Sequence, residues 1–255
     1  MTRPPAPALP LLAPGAPFPP ADQAWPEQSP APGLVAVGGA LDVPTLRAAY
    51  SAGIFPWFSA GEPILWWSTD PRMVLPVARF RLHRSLRRRV QQFMRDPRCE
   101  IRMDHAFAQV MAACASTPRR DQAGTWIGPS MRAAYEALHA AGQAHSVEVW
   151  VDKRLVAGLY CVGIGRAVFG ESMFTTVTDG SKIALAALVA WCRHHQLPLI
   201  DCQQQTEHLA SLGAAPIPRA GFLHALKALV GQVPPPWRFE PVYWTELMNS
   251  GCEQR

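Results

Sequence analysis

The chain has 255 residues, enough for one large domain, or a large and a small one, around a proper core. Hydrophobic residues make up 49% and charged residues 17%, which excludes a disordered chain. The 24 Lys+Arg against 19 Asp+Glu leave a net charge of +5, too mild a bias to mark a nucleic-acid partner by itself.

The six cysteines form no C-x-x-C pair and no regular framework, which fits reduced core thiols and no structural zinc. No stretch reaches the roughly 18 apolar residues of a membrane span. The longest candidate, Ile183 to Cys192, is too short. The N-terminus carries only Arg3 as a positive charge and is broken by prolines, a poor signal peptide, so a cytoplasmic location is expected.

Residues 1–32 are dominated by Pro and Ala and read as an extended, mostly unpacked leader. Gly33 to Gly39 reads as a short strand ending in a turn. Asp42 is placed to cap a helix from Val43 to about Ala52, with Pro44 in its first turn and Gly53 at its end. Ile54-Phe55-Pro56-Trp57-Phe58 and Ile64-Leu65-Trp66-Trp67-Ser68 follow as a loop-like aromatic region. It is either a small core beneath loops or a platform for stacking bases and apolar side chains.

A basic helix is expected from Arg79 to Met94. Its Arg84, Arg87, Arg88 and Arg89 concentrate positive charge, either as a solvated face or as a phosphate-binding one. A strand from Glu100 to Met103 and a helix from His105 to Ala115 come next, then a polar loop. Pro129 begins another helix, which Gly142 closes. His145 to Val151, Leu155 to Gly163 and Ala167 to Phe174 form an antiparallel meander, turned at Asp152-Lys153-Arg154 and Gly165-Arg166. Asp179 or Ser181 caps a long apolar helix through His194. A buried strand from Pro198 to Gln203 and short helices around Thr206 to Leu212 and Gly221 to Val230 follow. Three antiparallel strands, then helix, strand and helix, make an α+β plan of the kind used by GNAT-type acyltransferases.

Alternation along a strand puts Asp201 and Gln203 on one face and turns Cys202 away. A carboxylate beside an amide that both donates and accepts suits acyl transfer to an amine, though a polar strand end satisfied by backbone groups looks the same. Glu171 lies in an otherwise apolar strand and asks for a partner. There is no G-x-S-x-G elbow, no metal spacing among the eight histidines and no phosphate loop. An acyl donor must therefore arrive already activated.

Six motifs in order resemble one family. They are Gly53 to Phe58, Ile64 to Ser68 with Asp70-Pro71-Arg72, Gly124 to Ile127, Ala144 to Trp150, Gly170 to Phe174 and Leu199 to Gln203, continued by His208, Ser211, Leu212 and Gly213. The family is the leucyl/phenylalanyl-tRNA–protein transferases. The resemblance implies a small N-terminal domain, 33–77, and a larger GNAT-like catalytic domain, 78–255, with a mainly antiparallel sheet and no coenzyme A. It implies transfer of Leu, also Phe, with Met a candidate, from charged tRNA to proteins beginning with Arg or Lys, in the N-end rule degradation pathway. No cofactor, no metal and a monomer are expected.

By the same resemblance, Asp201, Gln203 and Glu171 handle the amine. Trp57 and Trp126 hold the aminoacyl-adenosine end, and Met173, Leu185, Ile200, Leu159, Val168 and Leu188 line the pocket for the amino acid. Arg84, Arg87, Arg88 and Arg89 would take the acceptor-stem phosphates. Thr206 stands where the family pattern has Asn, so no role is carried onto it. Two rivals remain: a coenzyme A acetyltransferase, for which Thr178-Asp179-Gly180-Ser181 is a poor phosphate turn, and an RNA-binding module without chemistry.

Overall fold

A computed structural model describes residues 8–117 and 126–248. The first seven residues of the leader, Gly124 and Thr125 of the third motif, and Cys252 with the rest of the C-terminal end lie outside the described residues.

Two sheets organise the chain. The small one has the order β1-β2-β4-β3, from β1 (Leu11–Leu12), β2 (Leu34–Gly38), β3 (Phe55–Pro56) and β4 (Leu65–Trp67), with α1 (Val43–Ser51) between β2 and β3. Asp42 caps α1 as expected, its carboxylate accepting from Thr45 N at 2.8 Å. The aromatic region read as loop-like is therefore a short hairpin, β3 against β4, whose strands are too brief to show a period.

From residue 8 on, the leader is packed rather than unpacked. Val37 N donates to Pro10 O at 2.9 Å and Gly39 N to Leu12 O at 2.8 Å. Leu12, Ala21 and Ala24 are buried, and the Phe18 ring packs edge-on against Trp66 at 4.8 Å. The few apolar side chains between the prolines cover a large indole, which offsets the cost of ordering them.

The large sheet has the order β11-β5-β10-β9-β8-β7-β6. Its strands are β5 (Arg72–Pro76), β6 (Cys99–Met103), β7 (Ala144–Val151), β8 (Arg154–Ile164), β9 (Ala167–Thr175), β10 (Leu199–Gln203) and β11 (Ala215–Ile217). Every neighbouring pair is antiparallel except β9 with β10. The fold is α+β with a mainly antiparallel main sheet. Because the apolar run of β5 is buried between β10 and β11, residues 72–76 belong to the large sheet, whereas the expected boundary followed residue 77.

The helices are α2 (Arg84–Arg95), α3 (Phe107–Ser116), α4 (Pro129–Ala140), α5 (Gly180–His194), α6 (Glu207–Ser211), α7 (Arg219–Leu229) and α8 (Thr245–Met248). The basic helix starts five residues later than expected. Val77–Arg79 is a 3-10 turn, and buried Phe80 with Arg81 N bonded to Leu212 O at 2.9 Å keeps the next residues out of a helix. Asp179 precedes α5, but its carboxylate takes Lys182 Nζ at 2.9 Å rather than a cap N–H. Among the described residues no helix is long and apolar enough to cross a membrane.

Alternation in the meander sorts two cores. Tyr160 and Val162 face α1, α3 and α4, while Leu159 and Cys161 face the apolar helix α5. Between them, fully buried Glu148 of β7 binds the start of α3. Its Oε1 accepts from His105 N at 3.0 Å, Ala106 N at 2.7 Å and Ser146 Oγ at 2.7 Å, and its Oε2 from Trp150 Nε1 at 2.9 Å. A carboxylate at a helix N-terminus also matches the helix dipole. Glu148→Ala strands these donors and is expected to cost about 2–5 kcal/mol in urea unfolding. Glu148→Gln, which keeps one acceptor, should fall between; a loss no larger than that of a surface substitution would refute the assignment.

Candidate functional site

A cavity of about 410 Å³ opens where the small hairpin meets the face of the large sheet. Of the residues expected to bind substrate, Trp57, Trp126, Leu159, Met173, Leu185, Leu188 and Ile200 line it. Val168 does not: it pairs beside Ile200 in the sheet and packs in the α5 core. The aromatic region divides between core and cavity. Trp66 is fully buried and gives its Nε1 to Gly38 O at 2.8 Å, so it is packing. Trp57 faces the cavity, and its backbone carbonyl is pinned by Trp67 Nε1 at 2.7 Å.

One end of the cavity is polar. Glu171 and Gln203 both line it, and Gln203 Nε2 donates to Glu171 Oε1 at 3.1 Å. Glu171 also accepts from Tyr50 Oη at 2.8 Å on Oε1 and from Tyr135 Oη at 3.2 Å on Oε2. The two tyrosine hydroxyls meet each other as well. Burial raises both tyrosines well above their ordinary range, with the Glu171 charge adding to it, so they act as neutral donors.

Burial is also the largest influence on Glu171 and lifts its pKa to about 7. The charge of Asp201 pushes the same way, while the tyrosine hydrogen bonds and Arg72 pull it down. Neither Tyr50 nor Tyr135 was marked by the sequence. They stand 121 and 36 residues from Glu171, and a buried phenol on an amphipathic helix reads as ordinary core.

Asp201 lies elsewhere than expected. It is 1% exposed and does not line the cavity. Its two oxygens take Arg72 Nε at 2.8 Å and Arg72 Nη2 at 2.6 Å, and Oδ1 accepts Gln203 N at 3.0 Å. The reason is a β-bulge. Asp201 pairs with Val74 and Gln203 with the adjacent Met73, so Cys202 is the extra residue. Gln203 has φ of 52°, left-handed for a residue with a side chain. The bulge breaks the alternation, so Cys202 and Gln203 both reach the cavity while Asp201 points into the core. The Cys202 thiol is pushed up by burial and by Asp201, which leaves it a poor nucleophile.

The arginine cluster lies outside the cavity lining. Arg84, Arg88 and Arg89 are exposed, and Arg89 is 3.8 Å from Asp179. Arg87 is partly buried and gives Nη1 to Met248 O at 3.0 Å, a structural tie at the C-terminal end.

Because its pKa is raised on folding, Glu171 contributes full stability below its ordinary value of 4.5. That contribution is lost as pH rises through about 7. Glu171→Gln is therefore expected to unfold like the parent chain below pH 4.5. It should be more stable above pH 7, by on the order of 1–3 kcal/mol once contact with the open cavity is allowed for. Urea titrations across that range test this; a variant less stable at high pH would contradict it.

Comparison with known proteins bears on the same residues. The model described as leucyl/phenylalanyl-tRNA protein transferase matches residues 74–227, and that of the N-terminal domain of the same transferase matches 39–70. The leucyl/phenylalanyl-tRNA–protein transferase of Polaromonas sp. is 61% identical over 242 residues, 95% of each chain. That of Albidiferax ferrireducens is 60% identical over 243 residues, 95% of this chain and 96% of that one. Among solved structures, that of L-PGS from Bacillus licheniformis aligns with 84% of this chain and 71% of its own, at a TM-score of 0.37 and 10% identity. The matched stretches include both sides of the cavity and the strands that carry Glu171 and Gln203, and on them the chain belongs to the leucyl/phenylalanyl-tRNA protein transferase family.

Proposed function

We propose that this chain transfers Leu, also Phe, with Met a further candidate, from aminoacyl-tRNA to the α-amine of proteins beginning with Arg or Lys. The product enters the N-end rule route to degradation, which places the enzyme in the cytoplasm, working as a monomer without a cofactor. The observation that carries the reading is the Glu171–Gln203 pair at the polar end of a mainly apolar cavity.

The aminoacyl side chain fits against Met173, Leu185, Leu188, Ile200 and Leu159, and Trp57 and Trp126 offer faces for the terminal adenosine. The aminoacyl ester is already activated, and the attacking α-amine has a reference pKa of about 8. With its nitrogen committed to Glu171, Gln203 has its carboxamide oxygen left to accept an N–H of the amine.

The amine nitrogen attacks the ester carbonyl carbon and a C–N bond forms. The C–O bond to the terminal ribose then breaks. The proton shed by the amine passes to the Glu171 carboxylate and from there to the departing ribose oxygen. Glu171, ionised above about pH 7, also gives the site negative character toward a cationic first residue. Asp201, fully engaged with Arg72, is placed to hold Gln203 rather than to take the proton.

The test mixes the protein with tRNA carrying labelled Leu and a protein with N-terminal Arg, without ATP, metal or coenzyme A. Label is expected to move to the protein, and Glu171→Gln and Gln203→Ala should each slow it by about 100-fold or more. Binding of tRNA without transfer would favour an RNA-binding module instead. Reversing charge at Arg84 and Arg88, the exposed members of the cluster, should weaken tRNA binding. It should also reduce the slope of log K against log salt by about 0.7–0.9 per lost phosphate contact. An unchanged slope would take the cluster out of the tRNA site.

A further inference from the structure

Arg72 is an arginine enclosed in the core. It is 0% exposed. Its Nε and Nη2 hold both oxygens of Asp201, and Nη1 donates to Gly53 O at 3.1 Å. The guanidinium carbon lies 4.7 Å from the Phe55 ring centroid and 4.6 Å from that of Phe222, a slot between two aromatic faces. One planar group thus joins β5, the bulge of β10, the turn after α1 and α7.

Stability alone does not call for such a pair. Well-packed apolar residues of similar volume usually hold a core as well as a buried ion pair or better. An apolar pair cannot offer the acceptor that Asp201 Oδ1 gives to Gln203 N, at a residue whose φ of 52° is unfavourable for a side-chain-bearing residue. The same guanidinium fixes Gly53, three residues past Tyr50, whose hydroxyl binds Glu171. The two arms that meet in the Gln203–Glu171 hydrogen bond, one through Asp201 and one through α1, therefore start from Arg72.

We propose that Arg72 is a positioning residue for the transfer: acting through Asp201, it holds the left-handed turn that presents the Gln203 carboxamide to Glu171. The inference rests on the transferase reading of the site. Lysine cannot replace it, since a point charge cannot grip both carboxylate oxygens and the Gly53 carbonyl in one plane.

Arg72→Met would strand a buried carboxylate, so Arg72→Lys is the working variant, with thermal unfolding confirming that it folds. Single-turnover rate constants for Leu transfer are measured for the parent chain, Arg72→Lys, Gln203→Ala and the double variant, with the KM for aminoacyl-tRNA alongside. Arg72→Lys is expected to slow transfer by about 100-fold while that KM stays within about threefold. The double variant should lose far less than the product of the two single losses, because the Gln203 carboxamide that Arg72 positions is already gone. A structural defect would instead carry through to the double variant. Parent rates in Arg72→Lys, or losses that multiply in the double variant, overturn the proposal. A parent chain that transfers no label sinks the enzyme reading, and the role of Arg72 with it.

Discussion

The buried pair of Arg72 and Asp201 sets the terms for the rest of the site. Two charges shut away from water persist only when each donor and acceptor around them is used, and here that demand draws in groups far apart in the chain. Arg72 comes from β5, Asp201 from β10, the Gly53 carbonyl from the end of α1, and the flanking rings from β3 and α7. The spare capacity of Asp201 goes to Gln203 N, and that bond holds the bulge. Without the bulge, Gln203 would follow Asp201 into the core and the cavity would lose its amide.

A division of labour between two acids follows. Asp201 is matched by a full positive charge and has no open side toward the cavity. Glu171 has only neutral donors in direct contact, two phenols and an amide, and sits on the cavity wall. Neutral hydrogen bonds offset part of the cost of burying a carboxylate but not all of it, which is why Glu171 titrates near neutrality. A group that changes charge in that range suits proton exchange with an amine, whereas an acid locked in an ion pair suits holding a backbone in place.

Much of this was legible in the sequence, and the misses share a cause. Period-two alternation located the meander, with β7, β8 and β9 observed within a residue or so of their expected limits. Local chemistry was equally readable: Asp42 capping α1 and Pro129 opening α4 are decided by groups a turn apart. The direction of Asp201 was not. Strict alternation is the right prior, but the bulge that defeats it depends on Arg72, 129 residues away. An arginine in a sequence reads as surface unless its partner is known, and nothing near Arg72 announces Asp201. The leader failed similarly, since its few apolar side chains matter only once Trp66 stands opposite them. The start of α2 was misplaced because burial of Phe80 outweighs the helix preference of the surrounding arginines.

The two sheets also cannot be assigned separate tasks. Phe55, Pro56 and Trp57 of the small lobe form one side of the cavity, and Leu159, Met173 and Ile200 of the large sheet form the other. The hairpin that carries the first side is very short and has little stability of its own. It is held by Trp67 on the Trp57 carbonyl, by Trp66 under the leader, and by the Phe55 ring against Arg72. The last contact closes the circuit, because the guanidinium that supports the apolar wall at Phe55 also supports the polar end at Gln203. A cavity that must receive an apolar side chain and an amine together needs its two linings in fixed register, and a single planar group bonded to both supplies that register.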